Sequence, residues 1–223
     1  MDPRYERNIP ALSEEECHTL LGKRVLVVGC GGLGGHLIDM LARIGVGTLR
    51  VVDGDVFEPS NLNRQLLSEV PLLGVSKAKA AAERISRVNP EIAVEAMDCF
   101  LTDENVSGLL TECDVVLDGL DNIASRRILA KECERAGIPY IYGAVNGWVA
   151  QAAISMPGDH LVERLYPEGS VLKNKSVLSF TPALCASMQV SLCVRLLTGR
   201  QAETGKLYYY DLLNQEYEAI PMA

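Results

Sequence analysis

Short runs of branched apolar residues alternate along this chain with longer stretches in which apolar positions recur every three or four residues. Arg24–Val28 reads as a buried strand, and Leu33–Ile44 as a helix that stops at Gly45. Thr48–Val52 predicts a second strand, followed by a loop through Ser60–Gln65 with room for a short helix. Ser76 is placed to cap a helix running to Arg87, which Asn89-Pro90 ends. Glu91–Ala96 then predicts a strand, Asp103–Leu110 a helix, and Asp114–Leu117 a strand. Ile123–Ala136 predicts a helix stopped by Gly137, and Tyr140–Ala144 the next strand. Strand and helix in this alternation predict an α/β fold, a Rossmann-like doubly wound, mostly parallel sheet.

Beyond Tyr140 the rhythm changes. Val149–Ser155 predicts an antiparallel strand, and Pro157–Ser179 a polar connection with weak periodicity. Thr181-Pro182 suits the cap and first position of a helix that runs to about Leu197 and ends at Gly199. Lys206–Asp211 and Glu216–Ile220 read as a hairpin, so antiparallel strands close the sheet. The expected organisation is one domain: an N-terminal helical arm over 1–22, a nucleotide-binding half over 23–147, and a second half over 148–223 that contains a crossover loop at 157–179.

Bulk properties narrow the chemistry. With 48% apolar and 22% charged residues, 223 residues suffice for a packed core. A net charge of −8 argues against a nucleic-acid-binding face, which needs clustered Lys and Arg. Met1–Glu16 has no apolar segment of the signal-peptide kind. The uncharged stretches Gly137–Met156 and Ser176–Val194 are broken by Pro, Gly and polar residues, so no membrane span and a cytoplasmic setting are expected. Seven cysteines, none in a C-x-x-C pair, suit reduced core thiols rather than a zinc ribbon.

The candidate chemistry begins at Gly29-Cys30-Gly31-Gly32-Leu33-Gly34, with Gly29, Gly31 and Gly34 at G-x-G-x-x-G spacing between a strand and a helix. Glycines let the chain turn tightly and let phosphate approach amides at a helix N-terminus. Asp53 closes the next strand, where an acid takes ribose hydroxyls. A glycine turn without ligand is the plain alternative, and the loop alone does not say which nucleotide. After it come Asp55, then Ser60-Asn61-Leu62-Asn63-Arg64-Gln65, Lys77 and Asp121-Asn122. Arg64 and Lys77 supply charge for a triphosphate, and Asn61 and Gln65 hydrogen bonds to the same groups. Asp121, beyond the strand Asp114–Leu117, is placed to hold Mg²⁺, with Asp118 as a possible assistant. Surface roles remain open for Lys77, Arg126 and Arg127, and a turn-capping role for Asp118.

The run Asp53-Gly54-Asp55 … Ser60-Asn61-Leu62-Asn63-Arg64-Gln65, with Lys77, Asp121-Asn122 and the opening Arg4-Tyr5-Glu6-Arg7, resembles the ThiF/MoeB/HesA family, bacterial relatives of the ubiquitin-activating enzymes. That resemblance covers nearly the whole chain. It implies an adenylyltransferase that uses ATP and Mg²⁺ to convert the C-terminal Gly-Gly carboxylate of a ubiquitin-like sulfur carrier into an acyl-adenylate, releasing pyrophosphate. It also implies a homodimer in which Arg7 completes the partner's site in trans. Two features depart from the family: the zinc-binding cysteine pairs are missing, so no zinc is expected, and no cysteine lies between Gln151 and Ala183. Cys185 is the nearest thiol, and a core role suits it better than sulfur transfer. Three other readings compete with carrier activation, one of them an inactive family member that only scaffolds a partner, which the nearly complete set of polar site residues argues against. A nicotinamide-dependent oxidoreductase leaves Asn61, Arg64, Gln65 and Asp121-Asn122 without work. A dehydratase acting on threonylcarbamoyladenosine in tRNA calls for a basic docking surface.

Overall fold

Eight strands form one sheet in the order β3-β2-β1-β4-β5-β6-β7-β8, in a computed structural model that describes residues 2–171 and 176–222. The strands are β1 (Arg24–Val28), β2 (Thr48–Val52), β3 (Ala93–Met97), β4 (Val115–Asp118), β5 (Tyr140–Asn146), β6 (Val149–Ser155), β7 (Lys206–Asp211) and β8 (Glu216–Pro221). β3, β2, β1, β4 and β5 run parallel, and β5 through β8 pair antiparallel. The expected doubly wound sheet with antiparallel C-terminal strands is therefore the observed one.

Helices cover both faces, as buried parallel strands require. The α-helices are α1 (Glu14–Leu21), α2 (Gly32–Ile44), α3 (Lys77–Val88), α4 (Val106–Leu109), α5 (Ile123–Ala136), α6 (Leu161–Leu165) and α7 (Phe180–Leu197). Alternation along β1 shows how the core divides. Val25 and Val27 join the cluster under α1, α2, α3 and α7, whereas Leu26 and Val28 join the one under α4, α5 and α6. α7 satisfies the length and hydropathy expected of a membrane span, at 18 residues and a mean hydropathy of 1.4. Here it packs against α2, β5 and β6.

Several boundaries shift by one or two residues, and four differences from the sequence reading have an identifiable form. β3 starts at Ala93 rather than Glu91 and runs to Met97, in register with β2. α4 is a single turn, because the Asn105 side chain accepts from Thr102 N–H and donates to the Phe100 carbonyl, holding the preceding residues in a turn. α7 begins at Phe180, and Thr181 is not its cap: the Thr181 hydroxyl donates instead to the Gly147 carbonyl, 2.8 Å away. The polar connection also contains α6, whose Leu161 and Val162 are buried. Residues 172–175 of the predicted crossover loop lie outside the described residues.

The N-terminal segment is anchored by one tyrosine. Pro3–Asn8 forms a 3-10 turn, and Tyr5 within it is buried against Gly45. Gly45 ends α2 in the left-handed region, at φ +95°, and a Cβ there would lie 2.6 Å from the Tyr5 ring. The Tyr5 hydroxyl accepts from Asn89 Nδ2 at 2.8 Å, and the same amide donates to the Ala42 carbonyl. Tyr5→Phe leaves one buried amide hydrogen unsatisfied, so we expect a loss of about 1–2 kcal/mol in urea denaturation with an unchanged m-value.

Candidate active site

Winding reverses between β1 and β4, and at the carboxyl ends of these strands a cavity of about 700 Å³ opens. Glycine makes the crevice possible. Gly29 has φ +93°, and a Cβ on it would lie 2.6 Å from the Gly119 carbonyl oxygen. A Cβ on Gly34 would fall 1.7 Å from the Gly29 oxygen. Gly31 is different, because its nearest neighbour to such an atom is the Gln65 side chain at an ordinary 3.5 Å. Gly31 caps α2 without a side-chain hydrogen bond, and both Gly31 and Gly32 line the cavity. The N-terminal turn of α2 thus presents backbone amides and its positive dipole end there.

Asp53 follows β2 and ties the glycine loop to it. Oδ2 accepts from Cys30 N–H at 2.7 Å, and Oδ1 accepts from Asp55 N–H at 2.8 Å. Burial raises its pKa, and those two N–H donors oppose the rise. Each oxygen keeps a lone pair for a sugar hydroxyl. Lys77, the first residue of α3, is nearly buried with its ammonium 3.2 Å from Asp55 Oδ2. Arg64 is held on the cavity wall by donating to the Ser60 carbonyl and to Asn63 Oδ1. Gln65 also lines the wall, and its Oε1 is buried with no partner among the described residues.

Not every predicted residue faces the cavity. A 3-10 turn over Pro59–Asn61 directs Asn61 inward, where its Oδ1 accepts from Glu58 N–H at 3.0 Å. Ser60 and Asn61 therefore lie off the cavity lining, and Asn63 stands in their place. Asp121 and Asn122 do line it; Asn122 also caps α5 by accepting from Ser125 N–H. Asp118 is fully buried behind the wall, 3.0 Å from Arg126 Nε, so it is a partner of that arginine rather than an assistant at a metal. Arg126, whose role the sequence left open, is buried and lines the cavity. Arg7 is exposed on the anchored 3-10 turn and does not line the cavity of its own chain.

Further lining residues had no signal in the motifs. Cys99, Phe100 and Leu101 follow β3 along the wall beyond Asp53. Ala144, Val145, Val149, Val177 and Pro182 add apolar wall beside Gln151 and Tyr166. For Cys99, Phe100, Leu101, Ala144 and Val145, position at the carboxyl ends of β3 and β5 was the one available clue. Cys185 is fully buried, 3.2 Å from the Gln151 carbonyl, and burial pushes its thiol up to about 12. It is a core residue, inert as a nucleophile near neutral pH.

No group of three His, Cys, Asp or Glu side chains suited to a metal occurs among the described residues. Mg²⁺ asks for less than that: one or two carboxylates, with phosphate oxygens and water completing the octahedron. Asp121 on the cavity wall fits that donor set.

Fold and site define an α/β enzyme that binds a nucleotide at a glycine-loop switch point. The family model described as "ThiF family" matches residues 5–223, and the chain belongs to that family. A SAMP-activating enzyme E1 from Haloferax volcanii is 35% identical over 98% of this chain and 84% of its own length. The molybdopterin-synthase adenylyltransferase of Escherichia coli is 30% identical over 98% of this chain and 92% of its own. A probable adenylyltransferase/sulfurtransferase MoeZ from Mycobacterium tuberculosis is 36% identical over 97% of this chain, which spans 59% of that longer protein. Among solved structures, E. coli MccB with MccA-N7isoASN superposes with a TM-score of 0.87 over the whole chain and 72% of its own, at 21% identity, a likeness of fold. The protein is an adenylyltransferase.

Two outcomes follow from this geometry. Cys99 alone of the seven thiols is not buried, so Ellman's reagent should titrate about one thiol in the native protein and all seven in denaturant, with ATP protecting Cys99. Protection of none, or reaction of Cys185, contradicts the arrangement. Gly31→Ala should fold normally yet weaken nucleotide binding about tenfold or more, whereas Gly34→Ala should lose the fold, read by calorimetric titration and circular dichroism.

Proposed function

We propose that this protein adenylates the C-terminal glycine carboxylate of a ubiquitin-like sulfur carrier at the expense of ATP. The observation that carries this is the continuity of the cavity. The same cavity is lined by the glycine loop and Asp53, by Arg64 and Lys77 beside them, and by apolar residues of β5 and β6. In this reading a nucleotide and an extended small-residue tail meet next to the cationic pair. Relatives named as activating a SAMP, as molybdopterin-synthase adenylyltransferases and as a ThiS adenylyltransferase support the same class of substrate.

In this reading the α2 amides at Gly31 and Gly32 bind phosphate, and Asp53 accepts from the ribose hydroxyls. The carrier carboxylate is already ionised and needs no general base; it must be held in line with the α-phosphorus. Its attack forms the acyl–phosphate bond and breaks the bond to pyrophosphate, so negative charge grows on oxygens facing Arg64 and Lys77. Lys77 exchanges its Asp55 contact for phosphate. The unpartnered Gln65 Oε1 accepts a hydrogen bond from the bound nucleotide or its water. Asp121 would hold Mg²⁺, which when bound neutralises phosphate charge.

The chain acts as a homodimer in which Arg7 enters the partner's cavity. Tyr5 supports this reading, because it fixes the turn that carries Arg7 while Arg7 itself projects outward. The tRNA reading calls for a basic docking surface, and a net charge of −8 gives it little support.

Incubation with MgATP should add the mass of AMP to a Gly-Gly carrier in intact-mass spectra. Arg64→Ala or Lys77→Ala should slow this by about a hundredfold or more. An adduct that forms equally fast in both variants would remove the cationic centre from the mechanism. The dimer has its own test. Arg7→Ala and Asp121→Ala chains, each inactive alone, should recover about a quarter of wild-type activity when mixed and reassembled in equal amounts, because one site of each mixed dimer is intact. No recovery would place Arg7 in its own chain's site, and an Arg7→Ala chain that is active alone would place it outside the chemistry.

A further inference from the structure

A deeply buried ion pair has no task in the reaction just described. Asp118 ends β4 with no exposure to solvent, and Arg126 on α5 is almost as deeply buried. The carboxylate accepts from Leu120 N–H at 2.8 Å and from the Tyr140 hydroxyl at 2.6 Å. Arg126 Nε lies 3.0 Å from Asp118 Oδ2 as an ion pair, though not aligned as a hydrogen bond. Burial drives the Asp118 pKa up and Arg126 opposes it; burial likewise disfavours the guanidinium charge, which Asp118 restores. Paired in this way, the guanidinium stays charged where it would otherwise be prohibitively desolvated.

Three further N–H groups of Arg126 donate to protein. Nη2 donates to the Leu120 and Gly143 carbonyls at 2.7 Å each, and Nη1 donates to the Tyr166 hydroxyl at 2.8 Å. The guanidinium carbon lies 5.1 Å from the Tyr142 ring centroid and 5.8 Å from that of Tyr166. The two hydroxyls of Tyr142 and Tyr166 are 2.6 Å apart. Arg126 thus has its charge and three of its N–H groups committed to its own chain at the cavity wall, a poor state for a phosphate ligand and a good one for a fixed strut.

What it fixes is the near limb of the crossover. Tyr166 follows α6 directly and lines the cavity beside Gln151. The next arginine works on the same residue from the same helix: Arg127 Nη2 donates to the carbonyls of Tyr166 and Pro167, both at 2.8 Å. At the far end of α5, Glu134 accepts from the backbone N–H groups of Gly158 and His160. One helix therefore pins this limb at both ends, and only the Arg126 contact reaches through a side chain that forms cavity wall.

We propose that Arg126 is a positioning residue: through Tyr166 it fixes the wall along which the carrier's tail enters, and it does not bind the nucleotide. This rests on the adenylation reading for the identity of the tail but not for the latch itself. Carrier recognition would then depend on the Tyr166 hydroxyl, which never touches a reacting atom. Asp118 serves by keeping Arg126 charged and in place.

Two measurements on the full-length protein test it. In adenylate formation with a Gly-Gly carrier, Tyr166→Phe should raise KM for the carrier about tenfold, the loss of one charge-assisted hydrogen bond. Its kcat and its affinity for MgATP should stay within about twofold of wild type. Arg126→Lys, which keeps the charge but not the fork, should show the same split. An equal loss of ATP affinity in both variants would make Arg126 a nucleotide ligand and overturn the proposal, as would an unchanged carrier KM. The second measurement needs no carrier. Hydrogen exchange of backbone amides over 161–168 should accelerate at least about tenfold in Tyr166→Phe while those of α2 and α7 do not change. Unchanged exchange there would overturn the latch. Wild-type protein that adenylates no carrier, with this acceleration present, would instead discard the adenylation reading and leave the latch standing.

Discussion

Everything about this site depends on three glycines in backbone contact where the sheet reverses its winding. The Gly29 carbonyl oxygen sits where a Cβ on Gly34 would lie at 1.7 Å and one on Gly119 at 2.7 Å. No side chain fits between these segments, so β1, the first turn of α2 and the end of β4 close to van der Waals distance. That closeness places the amide end of α2, the acid after β2 and the loop after β4 around one crevice. Move any of the three strands outward by the width of a methyl group and Asp53 could no longer reach the Cys30 amide that it now holds at 2.7 Å.

Around this apolar constraint the charges fall into two populations. Lys77 and Arg64 occupy the cavity wall, and their contacts with Asp55, Asn63 and the Ser60 carbonyl are those a substrate can displace. Asp118 lies behind the wall, and Arg126 is buried within it. The first population suits chemistry in which charge develops and departs, since Asp55 is exposed and an ion pair with a solvated partner is broken cheaply. The second suits permanent positioning, because breaking a buried pair strands a charge. What separates the two roles is whether the charge's partner is solvated, as Asp55 is, or buried, as Asp118 is.

Much of this was legible in the chain. Apolar pattern located every strand of the sheet, most plainly the Val- and Leu-rich β1, β2 and β4 at its centre, and the glycine loop and Asp53 fell in register with them. Boundaries failed where a side chain competed with the backbone, as Asn105 does before α4 and Thr181 does within α7. At the site, a motif names residues but not the direction in which they point. Asn61 and Asn63 are two apart in one motif; a 3-10 turn sends the first into the protein and leaves the second on the cavity wall. Arg126 and Tyr166 are 40 residues apart, and no local pattern announces a partnership made across two elements. Cys99 is similar: it lines the cavity because β3 pairs with β2, which sequence pattern predicts, while the turn after β3 decides where the thiol faces.

The central claim is reversible attack of a carrier carboxylate on the α-phosphate of ATP, and exchange of labelled pyrophosphate into ATP tests it most directly. The account predicts exchange that requires a carrier ending in a free glycine carboxylate and stops when that carboxylate is replaced by an amide. Exchange that proceeds without carrier, or equally well with the amide, would contradict it.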